Sequence, residues 1–288
     1  YNSITLQWNK NTSATGYELQ KWNGKKWVAL TKITKNSTTT YTVKSLKASS
    51  TYKYRIRAYK TIGKATQYSG YKELSVNTNP TNMSGFKAKS KSYNSITLQW
   101  NKNTSATGYE LQKWNGKKWV ALTKITKNST TTYTVKSLKA STTYKYRIRA
   151  YKTIGKATQY SGYKELSVNT NPSNMSGFKA KSKSYNSITL QWNKNTSATG
   201  YELQKWNGKK WVALTKIAKN STTTYTVKSL KASTTYKYRI RAYKTIGKAT
   251  QYSGYKELSV NTNPSNMSGF KAKSKSYNSI TLQWNKNT

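Results

Sequence analysis

Glu18, Glu73, Arg55 and Arg57 are the only acids and the only arginines in the first 92 residues, and the same four recur in two further copies. Two carboxylates held about 9.5 Å apart, two strand spacings, would suit the acid and base of an inverting glycosidase. The simpler reading is structural: alternation turns all four outward on one sheet, where they would form cross-strand ion pairs worth about 0–1 kcal/mol each. The chain contains no His, no Cys and no Asp. Catalytic triads, thiol nucleophiles and the usual metal-hydrolase ligand sets therefore lack their residues, so no catalytic site, metal or cofactor is expected.

A second group could bind rather than react. Trp22 and Trp27 flank Asn23 and Gly24, with Lys25 and Lys26 beside them, and Tyr59, Tyr68 and Tyr71 follow on outward or loop positions. Aromatic rings next to lysines can stack on sugars or bases. The alternatives are a cross-strand aromatic pair that stiffens the hairpin, or a contact between neighbouring domains. Trp27 is expected over the open side of the sandwich, with Trp22 the more exposed. The charge of +46, from 52 Lys and Arg against 6 acids, would attract a polyanion. AT-rich codon usage is a neutral source of lysine, but it does not account for the missing Asp. On edge strands, Lys87, Lys89 and Lys91 would also discourage aggregation.

The elements that carry these residues come in a repeat. The motif YNSITLQWNKNT begins at Tyr1, Tyr93, Tyr185 and Tyr277, a period of 92 residues. Only three columns vary between copies: Thr34/Thr126/Ala218, Ser50/Thr142/Thr234 and Thr81/Ser173/Ser265. A unit of this length can bury its own core, so the period marks an array of domains rather than a solenoid. The incomplete fourth copy reads as a window on a longer array, with head-to-tail strand addition between copies as the alternative.

Period-two alternation predicts seven strands per unit and no helix. Ile4, Leu6 and Trp8 alternate with polar residues, and Tyr17 and Leu19 open a second strand. Asn23 and Gly24 signal a type I′ hairpin into a third strand over 26–32. Tyr41 and Val43 mark a fourth, while Tyr52, Tyr54, Ile56 and Ala58 alternate with Lys53, Arg55, Arg57 and Tyr59 in a fifth. Leu74 with Val76, then Phe86 with Ala88, complete the set. The expected core is Ile4, Leu6, Trp8, Tyr17, Leu19, Tyr52, Tyr54 and Ile56. One proline per unit, at Pro80, Pro172 and Pro264, suits a seam between sheet domains. The expected domains are 1–79, lacking its first strand; 80–171 and 172–263, complete; and 264–288, with two strands.

The pattern resembles the fibronectin type III family, in the tandem form found on secreted and cell-wall proteins of Gram-positive bacteria. Residues 3–8 are similar to that family's second strand with its core Trp, residues 14–19 to the entry to the third, and Leu46 followed by Tyr52 to its tyrosine corner. The resemblance implies an all-β array of seven-stranded immunoglobulin-like antiparallel sandwiches. No Arg-Gly-Asp tripeptide occurs, and residues 61–64 fill the loop where some animal members carry one. No stretch approaches the roughly 18 apolar residues of a membrane helix, so no membrane insertion is expected.

Two functions fit. The first is a non-catalytic stalk, fibre or filament, secreted or at the cell surface, whose partners are neighbouring copies of the same domain. The second is a module for an anionic cell-wall polymer such as teichoic acid, an acidic polysaccharide or, less well, nucleic acid. Steep salt dependence would mark the second.

Overall fold

The structure, a computed structural model, describes residues 1–287. It is all-β, and no helix is long and apolar enough to cross a membrane. The chain divides into two compact units: residues 1–87 with 98–133 and 144–167, and residues 88–97 with 134–143 and 168–288. The first contains the whole 1–79 copy and the second the whole 172–263 copy.

The 1–79 copy has strands β1 (Ile4–Gln7), β2 (Gly16–Trp22), β3 (Trp27–Ile33), β4 (Thr40–Val43), β5 (Thr51–Ile62), β6 (Ala65–Tyr68) and β7 (Lys72–Asn77). Strands β1 and β4 pair as one sheet; β3-β2-β5-β6, with β7 on the other side of β5, form the second. The 172–263 copy repeats this plan and adds a strand at Lys179–Lys183, paired to Ile188–Gln191. It thus has eight strands where the alternation predicts seven. The extra one is the counterpart of β6, because β5 runs on to Ile62 and turns back at once through Gly63, whose φ of 59° suits the first position of a tight hairpin turn.

The first hairpin also differs from expectation. Only Gly24 of its turn has positive φ, whereas a type I′ turn needs two such residues. Four residues, 23–26, link β2 to β3. Asn23 closes them by accepting the backbone N–H groups of Lys25 and Lys26 on its side-chain oxygen, at 3.0 and 2.9 Å. Lys25 and Lys26 therefore lie in the loop, and β3 starts at Trp27.

In 172–263 the core holds Ile188, Leu190, Trp192, Tyr201, Leu203, Tyr238 and Ile240, all at most 1% exposed, with Met175 and Phe178 packed among them. In 1–79 the buried cluster is Leu6, Tyr17, Leu19, Val43, Leu46 and Tyr54, while Ile4, Trp8, Tyr52 and Ile56 are only half-buried. An opening of about 310 Å³ in this copy is lined by Leu6, Trp8, Leu19, Tyr54, Ile56 and Leu74. Residues 264–287 supply two paired strands, with Met267, Phe270 and Trp284 exposed.

Tyr52 forms the corner expected of it, accepting the Lys47 N–H at 2.8 Å. The deeper Tyr54 and Tyr238 hydroxyls have no hydrogen-bond partner among the described residues, and burial pushes both phenols up to about 12. The folded state thus holds these protons more tightly than an unfolded chain, whose tyrosines titrate near 10. Stability from this source is complete below about pH 10 and is lost as pH climbs towards about 12. Titration of phenolate absorbance should show these tyrosines ionising only as the fold is lost. Tyr238→Phe is expected to move the alkaline unfolding midpoint of the third sandwich upwards; an unchanged midpoint would contradict this account.

Candidate functional site

On the outer face of the large sheet, β5 places Arg55 and Arg57 between the aromatics. Register sets Gln20 opposite Arg55 and Glu18 opposite Arg57 on β2, and Glu73 opposite Arg55 on β7. The guanidinium of Arg55 sits 4.6 Å from the Trp27 ring centre and 3.9 Å from that of Tyr71; that of Arg57 lies 4.7 Å from Tyr71 and 3.6 Å from Tyr68. The result is a ladder, Trp27, Arg55, Tyr71, Arg57, Tyr68, with each cation between two π faces. The same ladder recurs at Arg239 and Arg241. Such contacts contribute about 0.5–1 kcal/mol apiece when exposed.

The arginine heads are held by their neighbours on β2. Arg57 bonds Glu18 Oε2 through both Nε and Nη2, at 2.9 and 2.8 Å. Arg55 instead donates Nε to Gln20 Oε1 at 2.8 Å. Glu73 and its counterparts Glu165 and Glu257 form no ion pair among the described residues, contrary to the expected pairing with Arg55. Cross-strand position alone does not make a pair: Arg55, clamped between Trp27 and Tyr71, is turned towards Gln20. With Glu18 engaged by Arg57 and Glu73 on the opposite flank of β5, the two carboxylates do not share a cleft.

The aromatics also depart from expectation. Trp27 does not close the open side of the sandwich; it packs edge-on against Trp22 across the hairpin, with ring centres 5.5 Å apart, and both are half-buried. Tyr59 is only 3% exposed. Its ring covers Gly16, its partner on β2, and its hydroxyl donates to the Ile33 carbonyl at 3.4 Å. Outward alternation gave the correct face, but the missing side chain at Gly16 leaves a hollow that the Tyr59 ring fills. Tyr68 remains 45% exposed and Tyr71 is half-buried under both arginines. Lys25, Lys26, Lys87, Lys89 and Lys91 are exposed; Lys91 directs its Nζ to Gln251 Oε1, where partial loss of water lowers its pKa.

The most heavily bonded polar cluster lies at the proline seams, and inspection of the sequence marked its place without its residues. After Pro80, which is buried, the Thr81 N–H donates to Ser105 Oγ at 2.9 Å and the Thr81 carbonyl accepts Asn103 Nδ2 at 2.8 Å. Asn103 is itself only 6% exposed. Its Oδ1 accepts Thr81 Oγ1, the Ser105 N–H and Ser105 Oγ at 3.1, 3.1 and 2.7 Å. The Asn103 N–H donates to the Tyr109 hydroxyl at 2.9 Å, which in turn donates to the Asn128 carbonyl at 2.8 Å.

The second seam repeats this around Asn195. Ser173 N–H to Ser197 Oγ is 2.9 Å, Asn195 Nδ2 to the Ser173 carbonyl is 2.7 Å, and Ser173 Oγ to Asn195 Oδ1 is 3.0 Å. Pro172 is buried as Pro80 is; Pro264 is exposed. Two of the three variable columns fall here, and both exchange only Ser for Thr. Thr81 and Ser173 make the same hydroxyl bond, as do Ser50 and Thr142, whose hydroxyls donate to the carbonyls of Ala48 and Ala140. That restriction to hydroxyl residues was the signal available in the sequence.

The sequence profile of the fibronectin type III domain matches residues 1–71, 78–163 and 171–255. The chain belongs to the fibronectin type III family. Its second and third matches open just before Pro80 and Pro172, at residues 78 and 171. Among proteins similar to it, Exoglucanase B of Cellulomonas fimi is 26% identical over 279 residues, 90% of this chain and 24% of that protein. Chitinase A1 of Niallia circulans is 28% identical over 229 residues, 74% of this chain and 29% of the enzyme. The fibronectin type III chain thus spans about a quarter of the length of these relatives. Solved structures similar to it include the FN1–FN3 domains of chicken CNTN1, at 18% identity and TM-score 0.35 over 91% of this chain and 94% of that one. A two-domain fibronectin type III segment of chicken tenascin matches at 17% identity and TM-score 0.41, over 63% of this chain and 99% of the segment.

Proposed function

We propose that this chain is a non-catalytic spacer: a run of fibronectin type III domains from a secreted or cell-surface bacterial protein that sets the distance between the parts it joins. The observation that carries this reading is the seam. At both junctions the linker is bonded into the loop of the domain that follows, through Asn103 at one and Asn195 at the other. A linker bonded in this way belongs to the next domain and is not a free tether. Glu18 is bonded to Arg57 of the ladder and Glu73 lies on the opposite flank of β5, so the two acids form no joint constellation for chemistry. Two relatives are named as an exoglucanase and a chitinase, which supports placing such a spacer in proteins that act on polysaccharides outside the cell.

A length series tests this. Chains with one whole 92-residue copy added or removed should change their maximum dimension in solution scattering by a constant increment per copy. A dimension that stays flat as copies are added would sink the spacer reading.

The exposed lysines favour a second reading, a module for an anionic cell-wall polymer or acidic polysaccharide. Retention on immobilised teichoic acid should then fall steeply between about 50 and 200 mM salt. Retention that ignores salt, or no retention at low salt, counts against it.

A further inference from the structure

Each copy carries two serines in left-handed backbone, a conformation that non-glycine residues seldom adopt. In the first copy these are Ser45 (φ 57°) and Ser49 (φ 54°). They lie in one short loop but do different things. The Ser45 hydroxyl has no hydrogen bond among the described residues. The Ser49 hydroxyl crosses the seam and donates to the carbonyl of Ser105, in the next copy, at 2.6 Å. Ser141, with φ 50°, does the same to the Ser197 carbonyl, also at 2.6 Å.

Each half of this contact is shaped by bonds within its own copy. Ser49, Ser141 and Ser233 hold the left-handed backbone at φ 54°, 50° and 49°, and their N–H groups donate to the Asn79, Asn171 and Asn263 carbonyls at 3.2, 3.0 and 3.1 Å. On the receiving side, the Ser13 N–H and Oγ bond Asn11 Oδ1 at 3.1 and 2.8 Å, and those of Ser105 bond Asn103 Oδ1 at 3.1 and 2.7 Å. Backbone strain held by such local bonds is set by the domain itself, and preorganisation of this kind lowers the ordering cost of docking.

We infer that the left-handed serine and the Asn-Thr-Ser loop are the two halves of a preformed docking surface. The partner is the same loop on another copy of this domain, and the serine hydroxyl fixes the angle at which that copy is held. The inference deepens the spacer reading and rests on it, since a defined angle matters only if the array transmits distance.

The chain has no cysteine, so two can be introduced cleanly at the exposed Lys25 and Lys117, in the hairpin loops of the first and middle copies. Spin labels there would report the distribution of distances across the first seam in the full chain. Ser49→Gly keeps the φ of 54° accessible while deleting the hydroxyl, so folding should survive, and thermal melts would verify it. Loss of one hydrogen bond should raise the population outside the parental distance peak about five-fold. Ser45→Gly loosens the same loop without touching the seam, and its distribution should superimpose on the parent's. The inference is overturned if Ser49→Gly also superimposes, if both variants broaden alike, or if the parent is already as broad as Ser49→Gly. A constant increment in the length series alongside any of these would leave the spacer reading standing without the serine latch.

Discussion

Gly200→Ala is expected to unfold the third sandwich selectively, lowering its stability by about 3 kcal/mol or more. A methyl group at this position would stand 2.0 Å from the Ile217 carbonyl oxygen and 2.9 Å from the Tyr243 hydroxyl. Tyr243 could swing aside, but Ile217 could not, because its carbonyl belongs to the backbone of the paired strand Trp211–Ile217. Accommodation would mean shifting that strand or displacing the ring that covers the glycine. The ring is 5% exposed and lies opposite Gly200 in register. Calorimetry on the full chain should show one sandwich melting early while the 1–79 copy keeps its transition. The same substitution at Gly16 should transfer the defect to the first copy. A Gly200→Ala chain that melts like the parent would show that the strand yields, and the account of Tyr59 and Tyr243 as rings seated over glycines would fail.

These glycines mark where the sequence stops being readable. Trp100, Leu98 and Ile148, at 0 or 1% exposure, follow from alternation because a period of two directly states which side chains face the opposite sheet. Tyr59 does not, since alternation assigns a face and cannot say that a neighbouring residue without a side chain leaves room for a ring. Strand β6 is invisible for a related reason: all four of its residues are exposed, so its pairing comes from the backbone turn at Gly63 and from no apolar pattern. Arg55 and Glu73 show the limit for charges. Register put them side by side, yet the strongest contacts open to a guanidinium there were two rings and an amide. The proline marked the seam correctly in place, but the bonds depend on which way short polar side chains turn once the loop is built.

The largest effect at the seam should come from Asn195→Ala, which we expect to cost the third sandwich about 3 kcal/mol and to release its linker. Asn195 is 6% exposed and, like Asn103 at the first seam, bonds both the linker and the loop. Its Oδ1 accepts the Ser197 N–H, Ser197 Oγ and Ser173 Oγ, and its Nδ2 supplies the bond to the Ser173 carbonyl. Alanine removes all four and leaves a carbonyl and an N–H without these partners, which is more damaging than never having made the bonds. Asn195→Asp separates the two roles. A carboxylate keeps the acceptor for Ser197 but faces the Ser173 carbonyl with no proton to donate, so the linker should loosen while the loop persists. Below the ordinary carboxylic acid range near 4, the protonated acid can donate again and part of the loss should return. Hydrogen exchange over residues 171–175 and 195–198 reads both effects separately. Unchanged exchange in the linker of Asn195→Ala would mean that the linker is held by Pro172 and the packing of Met175 alone. The seam would then be an apolar joint, and the hydrogen bonds that recur between copies would only accompany it.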